Sequence, residues 1–242
     1  MKVNIIGNGS IGAKYMSAST LLDDHVLVDV PNGVTKHLKN LGYDVLAIDT
    51  ILLTHLHGDH FFDLPFFLLN KLFEKNHTKI TIVGPKETAQ KVQQLVNFGF
   101  PNSWEKLKEC FEIEMVKYDT DTIIQLPNLK IETKEVKHAD FKPAFGYVVE
   151  IEGKKIAFSG DSCYCEAIEY LVQEAEVSIL DMSMQESGNE AHMGYTEIQD
   201  ICTRYPEKKI IATHMHERTI EKALANPIPN LIVPAINEKL EF

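Results

Sequence analysis

One run of seven residues constrains this chain more than any other: Thr54-His55-Leu56-His57-Gly58-Asp59-His60. It sits where the apolar stretch Ile51-Leu52-Leu53 ends and a helix begins. Residues two apart in an extended chain point the same way, so His55 and His57 face one point. Gly58 lets the backbone turn, and Asp59 and His60 then face the same point from the helix start. One stretch can thus feed two metal ions. Imidazole with carboxylate suits zinc and other borderline divalent ions. A polar loop with Asp59 as a helix cap is the plainer reading, and three histidines plus an acid at this spacing argue against it.

Strands and helices alternate along the chain. Lys2–Ile6 and His25–Val30 read as strands, and Asn32–Leu41 as a short helix ended by Gly42. Val45–Thr54 reads as a strand and Phe61–Glu74 as a helix apolar round most of its circumference. Lys79–Val83 is a strand, and Lys86–Phe98 a helix after Pro85. Phe111–Lys137 alternates apolar and polar residues, as antiparallel strands do, and Tyr147–Ile151 and Lys155–Ser159 flank a turn at Glu152-Gly153. Helix Glu166–Glu174, strand Val177–Leu180, helix Thr196–Tyr205, strand Lys209–Thr213, helix Glu217–Asn226 and strand Leu231–Pro234 follow. This mixture fits two sheets packed face to face with helices outside, better than one doubly wound sheet.

Composition narrows the function classes. The 242 residues hold 24 Lys plus Arg against 35 Asp plus Glu, a net charge of −11. Such a surface repels phosphate backbones, and the lysines are scattered rather than gathered into a basic groove. Four cysteines, Cys110, Cys163, Cys165 and Cys202, make no disulfide framework. With no apolar signal core after Met1-Lys2-Val3-Asn4, a reducing cytoplasm is expected. Asp63, Asn70 and Lys71 interrupt the most apolar stretch, Phe61–Phe73, which is too short to span a bilayer.

Gly7-Asn8-Gly9-Ser10-Ile11-Gly12 reads G-x-G-x-x-G after a strand, and Asp29 stands where a ribose-binding acid belongs. The segment Tyr15–His25 lacks the helix periodicity that dinucleotide binding requires, and Asp23-Asp24 reads as a tight turn. A glycine-rich loop between antiparallel strands is the expectation.

The histidine run has the form H-x-H-x-D-H, and three later motifs follow it at strand ends. They are Val136-Lys137-His138 with Pro143 and Phe145-Gly146-Tyr147, then Ser159-Gly160-Asp161-Ser162, then Ala212-Thr213-His214. In this order they resemble the metallo-β-lactamase superfamily over nearly the whole chain. The resemblance implies one αββα sandwich domain over residues 1–242, with its site at one sheet edge. It puts His55, His57 and His138 on one ion, Asp59, His60 and His214 on a second, and Asp161 between them. Two such ions per chain, zinc first with manganese or iron as alternatives, lower the pKa of a shared water and clamp attacking and leaving oxygens.

Details point to one branch. Asp161 stands where antibiotic-hydrolysing members use cysteine, and His57 where diiron flavoprotein relatives carry glutamate. His138, Pro143, Gly146-Tyr147 and His192 resemble the ribonuclease Z-like phosphodiesterases. That resemblance gives His192 the role of steadying charge on the phosphate, with Asp59 taking the proton of the attacking water. A loop histidine near a helix cap is the alternative for His192. The chain departs from tRNA-processing members in two ways. Only 22 residues separate His138 from Asp161, too few for the tRNA-binding arm. The segment that reads His-Glu-Ala-Thr there is Leu180-Asp181-Met182-Ser183 here, without the glutamate. A small or short phosphodiester is therefore the expected substrate, and pre-tRNA is not. Ester, lactone or thioester hydrolysis at the same centre is the first alternative, and a non-catalytic metal sensor the second.

Other residues carry less. Cys163 and Cys165 read as small residues packed at a helix start, with a redox role as the rival. His216 and Arg218 offer positive charge to a phosphate or are solvated helix-start residues. Asp181 either orients a ligand histidine or is a strand-end surface acid. The helix over Phe61–Phe73 has few polar positions, so a homodimer burying its second face is expected, with no membrane partner.

Overall fold

The computed structural model describes the whole chain, residues 1–242. Two seven-stranded sheets face each other. The N-terminal sheet contains β1 (Lys2–Gly7), β2 (Ser19–Leu22), β3 (Val26–Val28), β4 (Thr50–Leu52), β5 (Ile80–Pro85) and β6 (Ile113–Tyr118) in that order. The second sheet runs from β7 (Ile123–Leu126) through β8 (Leu129–Glu135), β9 (Phe145–Ile151), β10 (Lys154–Phe158), β11 (Val177–Asp181) and β12 (Lys209–Thr213) to β13 (Leu231–Ile232). β14 (Lys239–Glu241) returns to pair antiparallel with β1. Val3, Ile5, Leu22, Val28 and Leu52 meet Phe145, Tyr147, Val149, Phe158 and Ile179 between the sheets. Tyr118 and Tyr147 join hydroxyls there, and both reach Leu53 O.

Helices cover both outer faces. α1 (Val34–Asn40), α3 (Leu64–Phe73), α4 (Thr88–Gly99) and α5 (Ser103–Cys110) lie on the N-terminal sheet, where Leu38, Phe67, Leu68, Val92 and Leu107 are buried. α6 (Glu166–Glu174), α7 (Tyr195–Arg204) and α8 (Glu217–Ala225) cover the second sheet through Ile168, Leu171, Ile198 and Ile201. This is the αββα arrangement that the resemblance implies, and the two facing sheets with outer helices match the reading of the residues. No helix is long and apolar enough to cross a membrane.

Five local expectations are corrected. Val45–Thr54 is a short 3-10 turn at Val45–Ala47 followed by β4, because the Asp44 carboxylate takes Leu46 N–H and bends the chain. The helix over Phe61–Glu74 is broken into α2 (Gly58–Phe61) and α3. Pro65 cannot donate to a preceding turn, and the Asp63 carboxylate is occupied by Gly33 N–H and Thr35 N–H. α5 falls in a stretch assigned to no element. β6 pairs parallel with β5 rather than antiparallel with its successors, since α4 and α5 return the chain to the same edge. The final strand is β14, and Leu231–Pro234 supplies only the two residues of β13. The Gly7–Gly12 loop lies between antiparallel β1 and β2, as expected, and Asp23 and Asp24 turn with φ of 44° and 64°.

Candidate metal centre

β4, β8, β10, β11 and β12 all end at one edge of the sandwich, and each hands over a polar residue there. β4 is parallel to its neighbours on both sides and buried throughout, which explains its unbroken apolar run. Past its end, His55 and His57 lie in extended chain and α2 begins at Gly58. Gly160 precedes Asp161 with φ of +57°, and a Cβ there would stand 2.9 Å from both Phe145 O and Thr54 Cβ. Only glycine lets β10 approach the end of β4 this closely. His214 follows β12 at φ 56°, a backbone conformation that side chains rarely adopt.

The ring nitrogens converge. His57 Nδ1 lies 3.1 Å from His55 Nε2 and 3.1 Å from His138 Nε2. Asp161 Oδ2 is 3.7 Å from His55 Nε2 and 4.0 Å from His138 Nε2. The same oxygen is 3.4 Å from His60 Nε2 and 3.3 Å from His214 Nε2. Asp59 Oδ2 is 3.8 Å from His60 Nε2 and 3.5 Å from His214 Nε2. Two sets of potential metal-holding atoms result: His55, His57, His138 and Asp161, and then Asp59, His60 and His214. A further set, Asp161, Asp181, His192 and His214, contains the Asp181–His192 hydrogen bond of 2.8 Å.

A divalent cation fits these donors. His60 Nε2 and His214 Nε2 are buried and have no hydrogen-bond partner, which a folded protein rarely tolerates. The opposite ring nitrogens of His55, His60, His138 and His214 are committed. His60 Nδ1 meets Asp29 Oδ2 at 2.9 Å, His55 Nδ1 meets Thr54 Oγ1 at 3.1 Å, and His214 Nδ1 meets Ser183 Oγ at 2.7 Å. His138 Nδ1–H donates to Ala191 O at 2.9 Å. Such outer partners fix each ring with its second nitrogen aimed inward. Tetrahedral bonds of about 2.0–2.1 Å put neighbouring ligand nitrogens about 3.3 Å apart, close to the separations here.

The electrostatics agree. Burial pushes the Asp161 carboxyl up, but His214, His60 and His55 outweigh it and hold it well below the usual range. Burial opposes charge on His60 and is outweighed by Asp161 and Asp29, so His60 is raised well above its ordinary value. His55 is lowered well below it by burial and by His60. The carboxylates at this edge thus draw positive charge to its centre.

Asp29, read in the sequence only as part of a dinucleotide decoy, proves central. Held at φ 59° and buried, it accepts Thr54 N–H at 2.9 Å and Thr54 Oγ1–H at 2.9 Å besides meeting His60. An acid ending an apolar strand, with no turn to serve, was the available signal. Asp181 is no surface acid: it is fully buried, accepts Ser162 N–H at 3.1 Å and Ser183 Oγ–H at 2.7 Å, and meets His192 Nδ1. His192 stacks on His214 with ring centroids 5.1 Å apart. Burial lowers its pKa, and Asp181 outweighs this and raises it.

The cluster opens on a cavity of about 620 Å³ whose lining includes His57, Asp59, His138, Asp161, His192 and His214. Ile11, Ala139, Phe141 and Ala191 complete much of its rim, and no lysine or arginine lines it. His216 bonds Ser10 Oγ at 3.1 Å, and Arg218 is exposed and outside the lining. Cys163 and Cys165 sit at the start of α6, the former with its thiol pushed up by burial and the latter buried.

The family model of the anti-Pycsar protein Apyc1 matches residues 1–230. The chain belongs to the Apyc1 family. This Apyc1-family chain is also similar to ribonuclease Z of Mycobacterium marinum, at 23% identity over 82% of this chain and 70% of the relative. The fold is shared with human tRNase Z, short form, at TM-score 0.79 and 17% identity over 100% of this chain and 99% of that one. A diphosphatase of the PhnP family has TM-score 0.73 and 17% identity over 100% and 97%. The Apyc1-family chain is thus a metal-dependent hydrolase of the metallo-β-lactamase superfamily, ribonuclease Z-like in type.

Proposed function

We propose that the chain is a dinuclear, zinc-dependent phosphodiesterase acting on a small or short phosphodiester. The observation that carries this reading is His192 held against the buried carboxylate of Asp181 at the wall of the metal-binding cavity. In this reading His55, His57 and His138 would hold one ion and Asp59, His60 and His214 a second, with Asp161 shared between them. Divalent ions held there would lower the pKa of a water and offset charge on the phosphoryl oxygens. Asp59 accepts the proton that leaves the attacking water. His192 donates Nδ1–H to Asp181, which leaves Nε2 for the substrate, where it steadies charge moving to the leaving oxygen. The similarity to ribonuclease Z and to a diphosphatase supports phosphorus as the reacting centre.

The apolar rim without lysine or arginine favours a second reading, hydrolysis of an ester, lactone or thioester at the same centre. Steady-state assay of the zinc-loaded protein against chromogenic phosphodiesters, cyclic nucleotides, esters and lactones separates the two. Turnover of diesters alone supports the first reading, and turnover of carboxylic esters alone rejects it.

The same reading makes residues 1–242 one cytoplasmic domain that works as a homodimer. α3 buries Leu64, Phe67 and Leu68 but leaves Phe66 and Phe73 exposed, with Phe62 and Phe98 beside them. Together they line a groove of about 830 Å³ edged by Lys36 and Lys39. A patch of this kind is usually covered, most often by a two-fold copy.

A further inference from the structure

His192 and the Ala191 carbonyl that receives His138 Nδ1–H lie on one loop, Met184–Gly194, between β11 and α7. Glu197, in the first turn of α7, closes that loop. Its Oε2 accepts Gly188 N–H at 2.7 Å and Gly194 N–H at 2.9 Å. Met184 N–H donates to Met193 O at 3.2 Å, and Tyr195 N–H returns to Met184 O at 3.0 Å. Met193 is fully buried, which pins the chain one residue past His192. The turn is so tight that a Cβ on Gly188 would stand 2.4 Å from His192 O.

One peptide unit of this closed loop faces two ways. Ala191 O accepts Nδ1–H of His138 at 2.9 Å, and the N–H of the same peptide, that of His192, donates to Asn189 Oδ1 at 2.9 Å. A peptide unit is planar, and in its trans form N–H and C=O point in opposite directions. Fixing the N–H from one side therefore aims the carbonyl at the other. Asn189 Oδ1 also accepts Ala191 N–H at 2.8 Å, and Asn189 N–H donates to His192 O at 2.9 Å. Asn189 thus grips three consecutive peptide units, while its own side chain is exposed and outside the cavity lining.

We infer that Asn189 is a positioning residue that sets two imidazoles of the centre at once through the Ala191–His192 peptide: His138, whose Nδ1–H meets the carbonyl, and His192, whose backbone it grips on both sides. The inference rests on the phosphodiesterase reading only for what His192 then does to a substrate. The two rings lie 4.9 Å apart, centroid to centroid, so a tilt of the peptide moves neighbours together. The carboxamide, the peptide and the His138 ring form a chain of hydrogen bonds whose members polarise one another. An outer partner of this kind holds a metal-binding ring in orientation and raises its basicity. Asp181 fixes the far end of His192, and Asn189 fixes the backbone from which that ring projects.

Nuclear magnetic resonance of the zinc-loaded protein, labelled with ¹⁵N in histidine, tests this without turnover. In Asn189→Ala the Nδ1–H signals of His138 and His192 should both shift, while that of His60, held by Asp29, stays in place. Chelator competition should show zinc bound about tenfold more weakly. Asn189→Asp keeps the Oδ1 acceptor and should restore most of both properties. With bis(p-nitrophenyl) phosphate, Asn189→Ala should lose about tenfold in kcat with KM changed by no more than about twofold. Circular dichroism should match the wild type, because the side chain is exposed. Unmoved signals, a shift in only one of the two rings, an equal shift of His60, or no recovery in Asn189→Asp overturns the positioning role. Ring shifts and weaker zinc binding in a protein that turns over no diester retain that role and reject the phosphodiesterase.

Discussion

Asp181 Oδ2 and His192 Nδ1 lie 2.8 Å apart, and the aspartate has no exposed surface. A buried carboxylate that already takes Ser162 N–H and Ser183 Oγ–H cannot swing away, so it fixes the imidazole in one orientation. A group that contacts the phosphate as charge moves to the leaving oxygen acts mainly in the transition state. His192→Ala should therefore keep its metal and fold yet lose about 10²–10³ in kcat, roughly 2.7–4 kcal/mol. Asp181→Asn should lower kcat more than it raises KM. Steady-state kinetics paired with elemental analysis decides: near-wild-type turnover makes His192 a loop residue, and loss of metal makes it a ligand.

Metal stoichiometry is the second prediction. The purified or reconstituted protein should carry about two divalent ions per chain, and His57→Ala fewer. Asp29→Asn keeps a left-handed backbone that asparagine tolerates but removes the charge behind His60. Loss of such an outer partner costs about 10–100-fold in metal affinity. Competition with a zinc chelator measures it, and unchanged affinity would mean that Asp29 serves the fold alone.

Asp29 also marks the limit of what was legible in the chain. The His55–His60 run could be read because its donors are adjacent, and Asp161 and His214 because each closes an apolar strand. The sheets followed from alternation of apolar residues. The outer contacts of the cluster were not legible. Asp29 meets His60 and Ser183 meets His214 across 31 positions each, and no local periodicity records such a pairing. The break between α2 and α3 depends likewise on Asp63 reaching Gly33 and Thr35, from outside the helix. α5 was missed because its few apolar positions match no long periodic stretch.

The exposed aromatic face of α3 carries the third prediction. Light scattering at micromolar concentration should give a mass near twice the 27.4 kDa of one chain. Phe66→Asp and Phe73→Asp each place a carboxylate in the centre of the groove, where an unpaired charge is costly to bury. Both should be monomers with unchanged circular dichroism. A wild-type monomer rejects the homodimer.

Pre-tRNA should be a poor substrate. β9 and β10 are joined by a turn at Glu152 and Gly153, which leaves no room for an arm between them. The net charge of −11 removes general attraction to an RNA backbone. Rapid, site-specific cleavage of a 3′-extended tRNA at low salt would contradict this.

Lys71 lies outside the lining of the metal-binding cavity and gives a pH test of the fold. It sits in α3 with its side chain fully buried, and Nζ donates to Asn76 Oδ1 and Thr78 Oγ1 at 3.0 Å each. No carboxylate is paired with it, and burial lowers its pKa below the ordinary 10.5, with Asp49 offsetting part of the effect. The sign follows from proton binding. Below the depressed folded-state value, lysine is charged in both states and the folded protein bears the cost of burying the charge. Above 10.5 it is neutral in both states and that cost is absent. Between the two the unfolded chain binds more protons, so this group makes stability rise with pH. Lys71→Met keeps the volume and lacks the titration. Urea unfolding of both proteins from pH 7 to 10.5 should show the wild type gaining on the variant as pH rises. A constant difference across that range would mean that Asn76 and Thr78 solvate the ammonium as well as water does.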